Sequence, residues 1–109
     1  MPPEPVRYAL TATQIIASLA KTDGWKLHGD GDDIAIEKTF PFDNFLQVMA
    51  FANAVAFLAE QQDHHPELML RYGSCSVRFN THTPQGITAT DFATAAMVDS
   101  LLTPSASAA

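Results

Sequence analysis

The sequence predicts an α+β fold in the order αββαββα, with helices covering one face of an antiparallel sheet. Three observations carry this. Apolar residues at helical spacing follow capping residues at Thr11, at Asp43 or Asn44, and at Thr88. Two pairs of short extended runs lie between these helices, each pair split by turn residues. Finally, 109 residues leave room for a single core.

Residues 1–9 hold Pro2, Pro3 and Pro5 and read as a flexible arm, and residues 103–109 read as a flexible tail. The domain is expected between residues 10 and 102. Thr11-Ala12-Thr13-Gln14 has the form of a capping box, ahead of Ile15, Ile16 and Leu19, and this helix is expected to end near Asp23-Gly24. Trp25 to Leu27 reads as a short strand, followed by turn chemistry from His28 to Asp32. Ile34, Ile36, Lys38 and Phe40 share one side of the next strand. Asp43 or Asn44 then caps the longest helix, in which Phe45, Met49, Ala52, Ala56 and Ala59 are expected to face the sheet. Leu46, Val48, Phe51, Phe57 and Leu58 make its other sides apolar too, a pattern that points to self-association. Pro66 pushes His65 out of helical geometry and ends the helix. Leu68 to Tyr72 and Cys75 to Thr81 form the second strand pair around Gly73-Ser74, and Thr88 caps the last helix through Phe92, Ala95, Ala96 and Val98.

Composition excludes several classes of function. Twelve acidic against six basic residues give a net charge of −6, and the basic residues are scattered, which argues against binding nucleic acid through its phosphates. No apolar run approaches the roughly 20 residues of a membrane span, and the N-terminus lacks the layout of a secretory signal. A soluble, cytoplasmic protein is expected. The lone Cys75 has no partner for an internal disulfide and reads as a small buried hydrophobe.

Chemistry concentrates in three of the four histidines. His64 and His65 stand where the long helix stops, and His82 at the end of a strand. Alternation along that strand puts Cys75, Val77, Phe79 and Thr81 on one side and Ser76, Arg78, Asn80 and His82 on the other, away from the helix-covered core. For His64 or His65 alone, a histidine favoured by the helix dipole is the plainer explanation. A metal site using His82 with Asp63 or Glu60 is the sharper rival, but adjacent histidines are poorly spaced for one ion. Cys75 lies on the opposite strand side from His82, and no serine sits in a nucleophile-elbow pattern. Metal-free acid–base chemistry remains, suited to imidazole because it titrates near neutrality, with Asp63 and Glu60 near enough in sequence to orient a ring.

These residues also carry a family resemblance. Asp63-His64-His65-Pro66-Glu67, Tyr72, Thr81-His82, Gly86-Ile87-Thr88 and Asp91, with Gly24-Trp25, Phe40, Phe42, Phe45 and Ala59-Glu60 upstream, resemble the signature of the pterin-4a-carbinolamine dehydratases over about residues 10 to 102. The resemblance implies a four-stranded antiparallel sheet with helices packed on one face, assembled as a homodimer or homotetramer. It implies dehydration of 4a-hydroxytetrahydropterin to quinonoid dihydropterin, with no cofactor or metal, in recycling the pterin used by an aromatic amino acid hydroxylase. It makes His64 and His82 the acid and base and His65 a substrate holder. The backbone from Asp63 to His65 and from Asn80 through Thr81 and His82 to Thr83 would grip the pterin, with Glu60 and Asp91 in support. Leu68 stands where many members have an aromatic residue, and Thr83-Pro84-Gln85 makes its own turn. An alternative, a non-catalytic interaction or assembly protein of the same fold, needs none of the histidines; their presence together with Asp91 favours the enzyme. Asp91 itself is read mainly as the acid of a capping box begun by Thr88, acting on the histidines through positioning.

Overall fold

The computed structural model describes residues 8–102, so residues 1–7 of the expected arm and the whole expected tail lie outside the described residues. The elements are α1 (Ala12–Ala20), β1 (Lys26–His28), a 3-10 turn (Gly31–Asp33), β2 (Ala35–Pro41), α2 (Phe45–Gln62), β3 (Glu67–Arg71), β4 (Ser74–Phe79), β5 (Thr81–His82), β6 (Gln85–Gly86) and α3 (Ala89–Ser100). Four strands form one antiparallel sheet in the order β1-β2-β4-β3, and the three helices complete the α+β fold. Among the described residues, no helix is long and apolar enough to cross a membrane.

The register explains which face is covered. Directly paired residues project to the same side. Ile36 opposes Phe79 and Phe40 opposes Cys75 across β2 and β4, while Leu68 opposes Val77 across β3 and β4. Ile36, Phe40, Cys75, Val77 and Phe79 are buried and form the core floor, with Leu68 and Leu70 packed at its edge. The other face is polar and open: Thr39 and Ser76 hydroxyls meet at 2.8 Å, and Arg78 lies 3.9 Å from Glu37. An antiparallel sheet tolerates one wet face because its ladder satisfies the backbone without help from above.

Helix α1 starts with the full capping box: Thr11 N donates to Gln14 Oε1 at 2.9 Å, and Gln14 N to Thr11 Oγ1 at 3.2 Å. It is shorter than expected and stops at Ala20. The turn that follows needs a left-handed residue, supplied by Gly24 (φ +84°), where a β-carbon would stand 2.8 Å from Lys38 Cε. Trp25, buried just before β1, donates from Nε1 to Asp99 Oδ2 at 3.0 Å, and Lys38 Nζ reaches Asp99 Oδ1 at 2.9 Å. These bonds tie the C-terminal end of α3 to the sheet.

Helix α2 is capped by Asn44 rather than Asp43: its side chain accepts from Gln47 N at 2.9 Å. The face turned to the core differs from the expected one. Val48, Phe51, Ala52, Val55 and Ala59 are buried, whereas Phe45, Met49 and Ala56 are exposed. Both stripes have helical spacing, and a helix apolar on several sides leaves periodicity unable to choose between them. Leu46 (81% exposed) and Phe57 (74%) stand furthest into solvent. The run expected as a strand from Cys75 to Thr81 breaks at Asn80. Beyond it β5 pairs with β6 in a second, two-stranded sheet around a cis Thr83–Pro84 bond, an element absent from the expected order.

Candidate active site

The C-terminus of α2 decides where the two adjacent histidines go. Asp63 closes the helix in the left-handed region (φ 49°, ψ 44°), and His64 N returns to Ala59 O at 3.1 Å. This reversal turns His64 inward, 7% exposed, and His65 outward. His65 Nε2 meets Glu60 Oε1 at 2.8 Å on the exposed rim.

The His64 ring lies nearly parallel to Phe79, with centroids 5.6 Å apart and planes at 12°. Its Nε2 stands 2.5 Å from Asp91 Oδ1, and Asp91 is fully buried. A buried carboxylate needs its remaining lone pairs filled. Here Asp91 Oδ2 accepts from Thr88 N at 2.8 Å, the Asp91 half of a capping box, and from Thr81 Oγ1 at 2.9 Å. Thr81 Oγ1 is also 2.9 Å from Thr88 Oγ1. One side chain thus joins the first turn of α3, the start of β5 and the end of α2. The capping role read for Asp91 is present, and with it comes a direct contact to His64 that sequence spacing could not show.

His82 lies on β5, exposed, on the side opposite buried Thr81, as strand alternation predicts. Asp63, His64, His65, Asn80, Thr81, His82 and Thr83 line one cavity of about 340 Å³. That is within the usual span of small-molecule sites. Every residue named from the sequence as catalytic or substrate-gripping therefore borders a single cavity, with Glu60 joined to it through His65 and Asp91 behind His64. A cavity of about 310 Å³ on the open sheet face, bordered by Thr39, Arg71 and Arg78, is similar in volume but contains no imidazole. Among the described residues, no three His, Cys, Asp or Glu side chains converge as metal ligands.

Two residues escaped the sequence reading as site residues. Phe79 was placed on the core side of its strand, but not beneath an imidazole. Thr88 was read as a helix cap and as part of the family signature, without a role at the site. Alternation and capping pattern flagged both positions without revealing the partner.

Comparison with known proteins agrees with the fold. The family model described as pterin 4 alpha carbinolamine dehydratase matches residues 8–101. A Paracidovorax citrulli protein, provisionally named a pterin-4-alpha-carbinolamine dehydratase, is 50% identical over 91% of this chain and 85% of its own. A Bdellovibrio bacteriovorus protein of the same provisional name is 44% identical over 89% of this chain and 81% of its own. Among solved structures, a transcriptional coactivator/pterin dehydratase from Brucella melitensis superposes with a TM-score of 0.80 at 29% identity, covering 88% of this chain and 100% of that one. A pterin dehydratase-like protein identified as a RuBisCO assembly factor in the alpha-carboxysome gives 0.61 at 26% identity, covering 75% of this chain and 93% of that one. With nearly all described residues inside the match, the chain belongs to the pterin 4 alpha carbinolamine dehydratase family.

Proposed function

We propose that this protein dehydrates 4a-hydroxytetrahydropterin to quinonoid dihydropterin, in the cytoplasm, as one step in recycling the pterin of an aromatic amino acid hydroxylase. The observation that carries this is the buried His64–Asp91 pair facing a cavity shared with His65 and His82. The substrate's C4a hydroxyl leaves as water once protonated. The N5–H proton is lost, and its electron pair closes the C4a=N5 bond. One imidazole gives a proton, another takes one, and solvent restores both, with no net redox change. His64 and His82 divide these tasks. His65, braced by Glu60, holds the substrate, and the backbone flanking Asp63 and Asn80 to Thr83 grips the flat ring. No cofactor or metal is required by this chemistry.

A homodimer or homotetramer is part of the reading, supported by the apolar surface that α2 leaves exposed at Leu46, Met49 and Phe57. That same surface, with the assembly-factor neighbour, supports the alternative of a non-catalytic interaction protein. The test is the ultraviolet-monitored loss of freshly generated 4a-hydroxytetrahydropterin, background subtracted, before and after dialysis against a strong chelator. An accelerated rate that survives dialysis is expected. A rate equal to the protein-free control, with folded protein, overturns the enzyme reading, and activity that dialysis removes and zinc restores overturns its metal-free form.

A further inference from the structure

We infer that the Thr81 and Thr88 hydroxyls are positioning groups that hold Asp91 against His64, so that His64 is the base of the site, accepting at Nδ1, and His82 the acid. The inference rests on the dehydratase reading above and deepens it. An ionised carboxylate only accepts hydrogen bonds, so the 2.5 Å contact to Asp91 requires His64 to donate from Nε2. Asp91 cannot turn to release that proton, because Oδ2 is held by Thr88 N and by the Thr81 hydroxyl. Thr81 has one hydroxyl proton and gives it to Asp91. Its 2.9 Å contact with Thr88 is then completed by the Thr88 proton. The donors run one way, from Thr88 to Thr81 to Asp91, and Asp91 accepts from His64 on its other oxygen.

With Nε2 committed, the neutral ring has one free lone pair, on Nδ1. No buried side-chain nitrogen or oxygen of the described residues lacks a partner, and Nδ1 makes no hydrogen bond to any of them. Nδ1 is therefore the ring atom open to the cavity that His64 lines. On taking the N5 proton the ring becomes an imidazolium with a carboxylate already against it, so the developing charge is met without rearrangement. His82 suits the opposite task. It is exposed and makes no side-chain hydrogen bond among the described residues, so solvent can recharge it after each donation. The proton gained by His64 and the one given by His82 balance the water that leaves.

The experiment is heteronuclear NMR of the ring nitrogens in histidine-labelled full-length protein at the pH of the assay, with the His64 signals assigned by their loss in His64→Gln. Wild-type protein is expected to show a proton on Nε2 and none on Nδ1. Thr81→Val should keep the proton on Nε2 but shift its resonance, because Asp91 loses a donor on Oδ2, and should lower kcat about tenfold, the rate equivalent of one hydrogen bond to a charged group, with KM little changed. Thr81→Ser should restore both. A wild-type His64 carrying a proton on Nδ1 overturns the inference, as does a folded Thr81→Val with an unshifted Nε2 proton resonance and wild-type kcat. Wild-type protein without dehydratase activity, yet with the expected tautomer and a shifted Nε2 proton resonance in Thr81→Val, overturns the function while upholding the positioning network.

Discussion

Replacing Asp91 by asparagine removes one acceptor from a place where both oxygens are used. Three close donors converge on the carboxylate, Thr88 N and the Thr81 hydroxyl on Oδ2 and His64 Nε2 on Oδ1, with the Thr88 hydroxyl further off at 3.5 Å from Oδ2. The amide has a single oxygen. The Thr88 N–H belongs to the backbone and cannot reverse, so that oxygen stays at the cap and the amide nitrogen faces His64. The imidazole must then flip its tautomer, putting its proton on Nδ1 and its lone pair on Nε2. Three bonds persist but become neutral, each falling from about 1.5–3 to about 0.5–1.5 kcal/mol, a loss near 4 kcal/mol in all. At about 4–8 °C per kcal/mol for a domain of this size, Tm should fall by roughly 16–32 °C. With the free lone pair withdrawn from the cavity, the dehydration rate should drop by about 10² to 10⁴, the usual cost of a lost general base. Differential scanning calorimetry and the ultraviolet assay read the two effects separately. A lower Tm with the rate cut less than tenfold would mean that Asp91 serves the helix alone and would refute the tautomer argument.

His64→Ala and His82→Ala should each slow dehydration by about 10² to 10⁴, and if the rings act as one unit the double variant should lose far less than the product of the two. Burial pushes the Cys75 thiol up from 9.0, so the folded state resists forming a thiolate that the unfolded chain forms readily. Its stability contribution is full below the unfolded value and is lost as pH rises through the folded one. The Tm difference between wild type and Cys75→Val should therefore stay constant up to about pH 9 and change only above it, and a change near neutrality would contradict this. Phe57, 74% exposed on α2, is a test of assembly: Phe57→Glu should shift sedimentation toward the monomer with Tm of the subunit fold preserved, whereas an unchanged mass would place any interface elsewhere.

The sequence exposed the helix order, the two main hairpins and the cluster of polar residues around His64 and His82, because capping boxes, strand alternation and a proline stop are local signals. Strand alternation placed Thr81 and His82 on opposite sides before any tertiary information. Other features depend on contacts far apart in the chain. The choice between two apolar stripes of α2 was made by the sheet beneath it, so Phe45, Met49 and Ala56 were misjudged, Val48 and Phe51 were assigned to the outer sides, and Val55 was overlooked. β5 and β6 have two residues each, too short for any period to register. That His64 turns inward and His65 outward depends on the left-handed backbone of Asp63, which neither histidine announces. Phe79 could be read as core, but its stacking under His64 is a meeting of β4 with the end of α2.

The double use of Asp91 makes the first turn of α3 a timekeeper for the site. Helix ends open locally far more often than whole domains unfold. Each time this turn frays, the Thr88 amide loses its acceptor and His64 loses its partner in the same event, although the core around Phe79 and Val77 stays closed. Amide hydrogen exchange at Thr88 therefore reports how long the imidazole remains armed. Heat should disarm the site before it unfolds the protein, by an amount set by that one turn.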